Sequence, residues 1–127
     1  MKILDNLKYT HDHEWIKIEG NEAYIGVTDF AQSQLGDIVF IEVETVGETL
    51  DKGESFGSIE AVKTVEDMYM PVSGEILEFN DDLTTSPDLI NKDPFEKGWV
   101  IKVKISNPSE INDLLDAAAY QALVDSL

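Results

Sequence analysis

Cysteine is absent from the chain. The polypeptide therefore supplies no disulfide, no thiol nucleophile and no thiolate for a zinc site, and any sulfur redox chemistry must arrive on a cofactor. Positive charge is scarce: 9 Lys and Arg stand against 26 Asp and Glu, a formal net charge of −17. Such a surface repels nucleic acid and anionic membrane, so neither is expected as a partner; it suits solubility and partners with basic docking faces. No apolar run is long enough to span a bilayer. Met1-Lys2-Ile3-Leu4-Asp5-Asn6 has neither the apolar core of a signal peptide nor an arginine-rich presequence, so a cytoplasmic protein is expected rather than a processed mitochondrial one. There is no phosphate loop and no dinucleotide fingerprint.

What is present is a globular composition, 43% hydrophobic and 28% charged over 127 residues. That length holds one domain with a modest core. Residues 1–127 are read as a single unit, with a core over about 7–106 and C-terminal helices over about 107–125. Most segments show the two-residue alternation of strands. Trp15-Ile16-Lys17-Ile18 and Ala23-Tyr24-Ile25-Gly26-Val27 flank a turn at Gly20 and read as a hairpin. Thr28 to Gly36 reads as a short helix, with Thr28 or Asp29 as N-cap, Gly36 as the stop, and Phe30 and Leu35 as buried anchors. Val39, Ile41 and Val43 are expected on one face of the next strand. Ser86 and Pro87 are expected to open a single helical turn, and Trp99, Ile101, Val103 and Ile105 to share one strand face. In the tail, Asn107, Pro108 and Glu110 approach a capping box, and Ile111, Leu114 and Leu115 form a helical stripe. Asp116 is read as the cap of a last helix whose Tyr120, Leu123 and Val124 face inward. These helices are expected to cover sheet edges.

The chain is organised around Phe56 to Met70. Two short strands meet near Lys63, with Phe56, Ser58 and Glu60 on one face of the first and Gly57, Ile59 and Ala61 on the other. Lys63 is the only cation between Gly53 and Gly74; Glu54, Glu60, Glu66 and Asp67 are all acidic. A lysine at a hairpin tip is usually a solvated charge, but its stem also puts the amine where another protein can modify it. Gly47 and Gly74 frame the hairpin with turns, and each is followed by a strand of similar sequence, Gly47-Glu48-Thr49-Leu50 and Gly74-Glu75-Ile76-Leu77.

This layout resembles the lipoyl and biotinyl carrier domains. Glu60-Ala61-Val62-Lys63-Thr64, Pro71-Val72-Ser73-Gly74-Glu75, Gly98-Trp99, His13-Glu14-Trp15, Ile25-Gly26-Val27-Thr28-Asp29-Phe30-Ala31 and Leu35-Gly36-Asp37 look like the glycine cleavage system H protein family. The resemblance runs from about Leu7 to about Leu123. It implies a mainly β fold, a flattened barrel made as a sandwich of two antiparallel, four-stranded sheets, with short helices including a C-terminal helical segment. It also implies a carrier rather than an enzyme, with lipoate joined covalently to Lys63. The lipoyl group would accept an aminomethyl unit during glycine decarboxylation. Implied partners are the pyridoxal-phosphate glycine decarboxylase (P-protein), the tetrahydrofolate-dependent aminomethyltransferase (T-protein) and dihydrolipoyl dehydrogenase (L-protein). A lipoate-protein ligase or lipoyl-transfer enzyme would load the lysine.

Carried over residue by residue, Glu14 and Asp67 line the cleft that parks the loaded arm. Asp12 stands where the family often has Ser, so no role is carried over there. Glu60, Gly47 and Gly74 are candidates for reading by the lipoylating enzyme, against plain strand packing and turns. His11, His13 and Glu14 also suggest a metal site, but two histidines without helical His/Glu spacing favour a simple polar start to a strand. Other readings are a lipoyl domain of a 2-oxo acid dehydrogenase, a biotin carrier, an H-like lipoate relay and an unmodified adaptor. Val62-Lys63-Thr64 differs from the Asp-Lys-Ala and Met-Lys-Met tips of the first two.

Overall fold

The computed structural model describes all of residues 1–127. Two antiparallel sheets face each other. One has six strands in the order β1-β2-β3-β9-β8-β5, and the other three, in the order β4-β6-β7. The strands are β1 (Lys8–Tyr9), β2 (Glu14–Glu19), β3 (Glu22–Val27), β4 (Ile38–Glu42), β5 (Thr49–Leu50), β6 (Ser55–Ala61), β7 (Val65–Tyr69), β8 (Gly74–Phe79) and β9 (Ile101–Ile105). The helices are α1 (Asp29–Leu35), α2 (Asp82–Thr85), α3 (Leu89–Lys92) and α4 (Ala117–Asp125), with a 3-10 turn over Pro108–Asp113. The architecture is the flattened sandwich expected, but the sheets do not close into a barrel and the strands split six and three rather than four and four. The N-terminal β1 and the two-residue β5 extend the larger sheet at its two edges. The two similar segments after Gly47 and Gly74 lie side by side, Thr49 opposite Glu75 and Leu50 opposite Gly74.

The space between the sheets is filled by side chains such as Ile16, Ile25, Ile41, Ile59, Met68, Ile76 and Val103, one cluster of 20 buried residues. A second cluster, Leu7, Tyr9, Trp15, Phe95 and Tyr120, covers the outer face at β1 and β2. The two clusters explain why Glu14, Trp15 and Ile16 are all buried although alternate side chains of a strand point to opposite faces. Tyr9 and Tyr120 stack at 4.6 Å with planes 9° apart, which fixes α4 over β1. Leu115 pairs with Tyr9 through mutual backbone bonds, so the tail closes the β1 edge.

Several local expectations are corrected by pairing. In β4 the buried residues are Ile38 and Ile41 while Val39 is exposed, because a bulge between Ile38 and Phe40 resets the alternation. A second bulge, between Ser55 and Gly57, turns Phe56 into the core with Ile59 and Ala61 rather than onto the face of Ser58 and Glu60. Phe30 and Leu35 are only half-buried and α1 has no buried residue, since that helix forms a cleft wall. Strand β9 starts at Ile101; Trp99 lies outside it, edge-on to Tyr24 at 5.1 Å. Ser86 makes no capping bond through its side chain, and α3 begins at Leu89 after Asp88. Glu110 does not complete a capping box. Its carboxylate instead accepts the Ser73 N–H and hydroxyl across the fold, leaving Asn107 to accept the Ser109 N–H. Leu114 and Leu115 fall beyond the 3-10 turn.

Candidate functional site

The tip of the β6–β7 hairpin is Val62-Lys63-Thr64. Glu60 is opposite Val65, and the Ala61 N–H donates to the Thr64 carbonyl at 2.8 Å, closing the turn. The Val62 N–H donates to the Asp37 carbonyl at 3.1 Å, tying the tip to the junction of α1 and β4. A rigid base thus carries an exposed lysine that makes no ion pair. The Lys63 stem lies along Gly36, its Cε 3.8 Å from where a Cβ on that glycine would stand.

Gly36 ends α1, whose Phe30, Ala31, Gln34 and Leu35 form one wall of a cleft of about 490 Å³. Thr28 sets the helix in place by accepting the Ala31 N–H at 3.1 Å, and the Gly36 N–H donates to the Gln32 carbonyl at 3.0 Å. Met68 and Asp67 of β7 form the facing wall, and the turn His11 to Glu14 forms the end. Glu14 and Asp67 both line this cleft, and the Lys63 stem passes Gly36, the residue after the lining Leu35. A second concavity of about 520 Å³, among Trp15, Tyr24, Phe95 and Trp99, shares no residue with it.

Glu14 is 2% exposed. Its carboxylate accepts the Thr10 hydroxyl at 2.7 Å and the Tyr69 N–H at 3.1 Å. Burial pushes its pKa up to about 7, against the lowering effect of those two bonds. Glu14 is therefore held towards its neutral, protonated form, whereas Asp67 is solvent-exposed on the wall.

His13 and Tyr120 also meet at the cleft, a pairing that the sequence does not signal. His13 adopts φ of 66°, the left-handed region that few non-glycine residues occupy. Its N–H donates to the Thr10 carbonyl and its carbonyl accepts from Thr28. Its Nδ1 is 2.9 Å from the hydroxyl of Tyr120, which in turn is 2.7 Å from the hydroxyl of Thr28. The ring also packs against Phe30 at 4.8 Å. The inward stripe of α4 is the only hint of this, and it does not say what Tyr120 meets.

The remaining candidates lie apart from the cleft. Glu60 is exposed on β6, level with Phe40 on β4. Gly47 turns the chain at φ of 92°, its N–H donating to the Ile76 carbonyl at 2.8 Å. Gly74 starts β8 against β9, where a Cβ would come within 2.5 Å of the Lys104 carbonyl oxygen. Both glycines therefore have a backbone reason of their own. His11, His13 and Glu14 do not converge: no group of three or more His, Cys, Asp or Glu side chains has metal-ligand geometry.

The two-sheet flattened sandwich defines a domain of the lipoyl/biotinyl carrier class. A family model described as "Glycine cleavage H-protein" matches residues 7–127. The chain is 57% identical to the glycine cleavage system H protein of Bacteroides thetaiotaomicron, over 98% of this chain and 99% of that protein. It is 54% identical to that of Symbiobacterium thermophilum, over 92% of this chain and 91% of that one. The crystal structure of the H protein from Mycobacterium marinum superposes with a TM-score of 0.88 at 37% identity, covering 98% of this chain and all of the other. The chain belongs to the glycine cleavage H-protein family.

Proposed function

We propose that the chain is the lipoyl carrier of a glycine cleavage system, residues 1–127 acting as one non-enzymatic domain with lipoate in amide linkage to Lys63. The observation that carries this is the unpaired Lys63 amine on a rigid tip, its stem passing Gly36, which adjoins a cleft lined by apolar side chains and by Asp12, Glu14, Glu66 and Asp67. Those residues fit such a group. Val27, Phe30, Leu35 and Met68 suit a hydrocarbon arm, and Glu14 and Asp67 suit a cationic head. When bound, lipoyl supplies the disulfide that takes up the aminomethyl unit of glycine.

The chain's own residues do the rest. Lys63 gives up its charge on acylation, leaving a neutral, flexible tether. Tethering turns successive transfers between separate active sites into nearly intramolecular ones. Asp67 draws a cationic cargo into the cleft, and Glu14 ionises against it as the cation replaces water. The walls of α1 and β7 keep water away from the parked cargo. The partners proposed are glycine decarboxylase, the aminomethyltransferase, dihydrolipoyl dehydrogenase and a lipoate-attaching enzyme, all in the cytoplasm. Glu60, Gly47 and Gly74 are proposed as features that this last enzyme reads, Gly47 through its turn and Gly74 through the close β8–β9 pairing it allows.

The experiment is reconstitution. Glycine decarboxylase is supplied with carboxyl-labelled glycine, and label released as carbon dioxide is counted with lipoylated chain, unmodified chain or none. Release that depends on the lipoylated chain supports the proposal. Equal release in all three overturns it.

A further inference from the structure

The contact between α4 and the cleft has a direction that hydrogen counting resolves. Thr28 is fully buried. Its Oγ1 accepts the Ala31 N–H at 3.1 Å and has one other partner, the Tyr120 hydroxyl at 2.7 Å. The Thr28 proton therefore has a single place to go, the oxygen of Tyr120. Tyr120, fully buried too, must then send its own proton onward, and its remaining neighbour is Nδ1 of His13 at 2.9 Å. The reverse order, His13 donating to Tyr120 and Tyr120 to Thr28, strands the Thr28 proton in the interior, where an unmade bond is unfavourable. Only the first order satisfies every atom.

We infer that Tyr120, driven by Thr28, holds His13 as its neutral tautomer with the proton on Nε2, so that the cleft receives an uncharged N–H donor. Nε2 has no protein partner, yet no buried side-chain nitrogen or oxygen lacks one, so this atom reaches solvent. His13 lines the cleft, and the open atom faces outward from a ring clamped between Phe30 and Tyr120. The unusual φ of His13 is what brings its ring to Tyr120.

The charged groups around His13 do not all push one way. Asp12 beside it favours the imidazolium and His11 opposes it. Glu14 follows in sequence, Glu66 and Asp67 line the wall across the cleft, and α1 offers only uncharged Phe30 against the ring. Burial outweighs these and lowers the His13 pKa. Protonation would also require Nδ1 to donate, which reverses the Thr28–Tyr120 chain. Tyr120 is thus a positioning residue, acting through His13. An N–H donor cannot bond an ammonium head, so this Nε2–H would serve an acceptor on the arm, such as its amide carbonyl; that use rests on the function proposed above, the tautomer does not.

The test is long-range proton–nitrogen NMR of the two histidine rings in the full, unlipoylated chain, with His11 as the internal standard. In the parent, His13 should show a protonated Nε2 and an acceptor Nδ1, with at least about a tenfold excess over the other tautomer. It should titrate below an ordinary imidazole. Tyr120→Phe should lower that ratio about tenfold and raise the His13 titration midpoint. Thr28→Val removes the Thr28 proton but also the cap of α1, which carries Phe30 against the ring, and should loosen the preference; Thr28→Ser keeps both the cap and the proton and should preserve it. A protonated Nδ1 in the parent, or a ratio unmoved by both Tyr120→Phe and Thr28→Val, overturns the inference. Neither result bears on whether Lys63 carries lipoate.

Discussion

Replacing Glu14 by Gln removes a charge from a site built to resist one. Glu14 is 2% exposed and its pKa stands at about 7, against an ordinary value of 4.5. A raised acid pKa means that the folded state binds the proton more tightly than the unfolded state. Stability from this group is therefore complete below the unfolded value, lost as pH rises through the window from about 4.5 to about 7, and absent above it. The shift corresponds to roughly 3 kcal/mol over the whole window. The glutamine side chain keeps the shape: its oxygen accepts the Tyr69 N–H and its amide faces the Thr10 oxygen, with mismatched protons costing about 1 kcal/mol. Urea unfolding of parent and Glu14→Gln from pH 5 to pH 8 gives the assay. The stability of the variant relative to the parent should rise by roughly 2–3 kcal/mol across that range, cancelling the other titrating groups common to both. A difference that stays flat with pH refutes the raised pKa and, with it, Glu14 as a group that ionises on meeting its cargo.

Glu14→Ala combined with Asp67→Ala should leave lipoylation of Lys63 intact but shorten the lifetime of the loaded carrier several-fold, read as release of ammonia and formaldehyde; equal lifetimes would reject the parking role. Glu60→Gln should change stability by no more than about 0.5 kcal/mol, because the side chain is exposed, while slowing the lipoylating enzyme. An unchanged rate removes Glu60 from the contact. Gly74→Ala should destabilise by about 1–3 kcal/mol in urea, since the new Cβ meets the Lys104 backbone oxygen at 2.5 Å and backbone cannot easily yield.

Features set by neighbours along the chain are legible in the sequence alone. The Thr28 cap, the Gly36 stop, the Asp116 cap and the β2–β3 hairpin each need only a few adjacent residues, and each stands where expected. What depends on pairing is not legible. The bulges at Val39 and Phe56 flip which residues face the core, and only the partner strand reveals them. The four-residue helix α2 is hidden too, since Asn80-Asp81-Asp82 is turn-like and its single buried anchor, Leu83, gives no periodicity. Within the site, Lys63, Glu14 and Asp67 stand out through their local motifs and a resemblance, but the burial that makes Glu14 unusual is tertiary, its carboxylate meeting the Tyr69 N–H 55 residues away. The His13–Tyr120 contact joins residues 107 apart, and no local pattern signals it.

The proposed function rests on a single amine, and the mass of the intact chain tests it most directly. The protein is incubated with lipoate, ATP and a lipoate ligase, beside Lys63→Arg. Addition of a single lipoyl unit to the parent and none to the variant is the predicted result. A parent that stays unmodified, or a variant that is modified to the same extent, would contradict it.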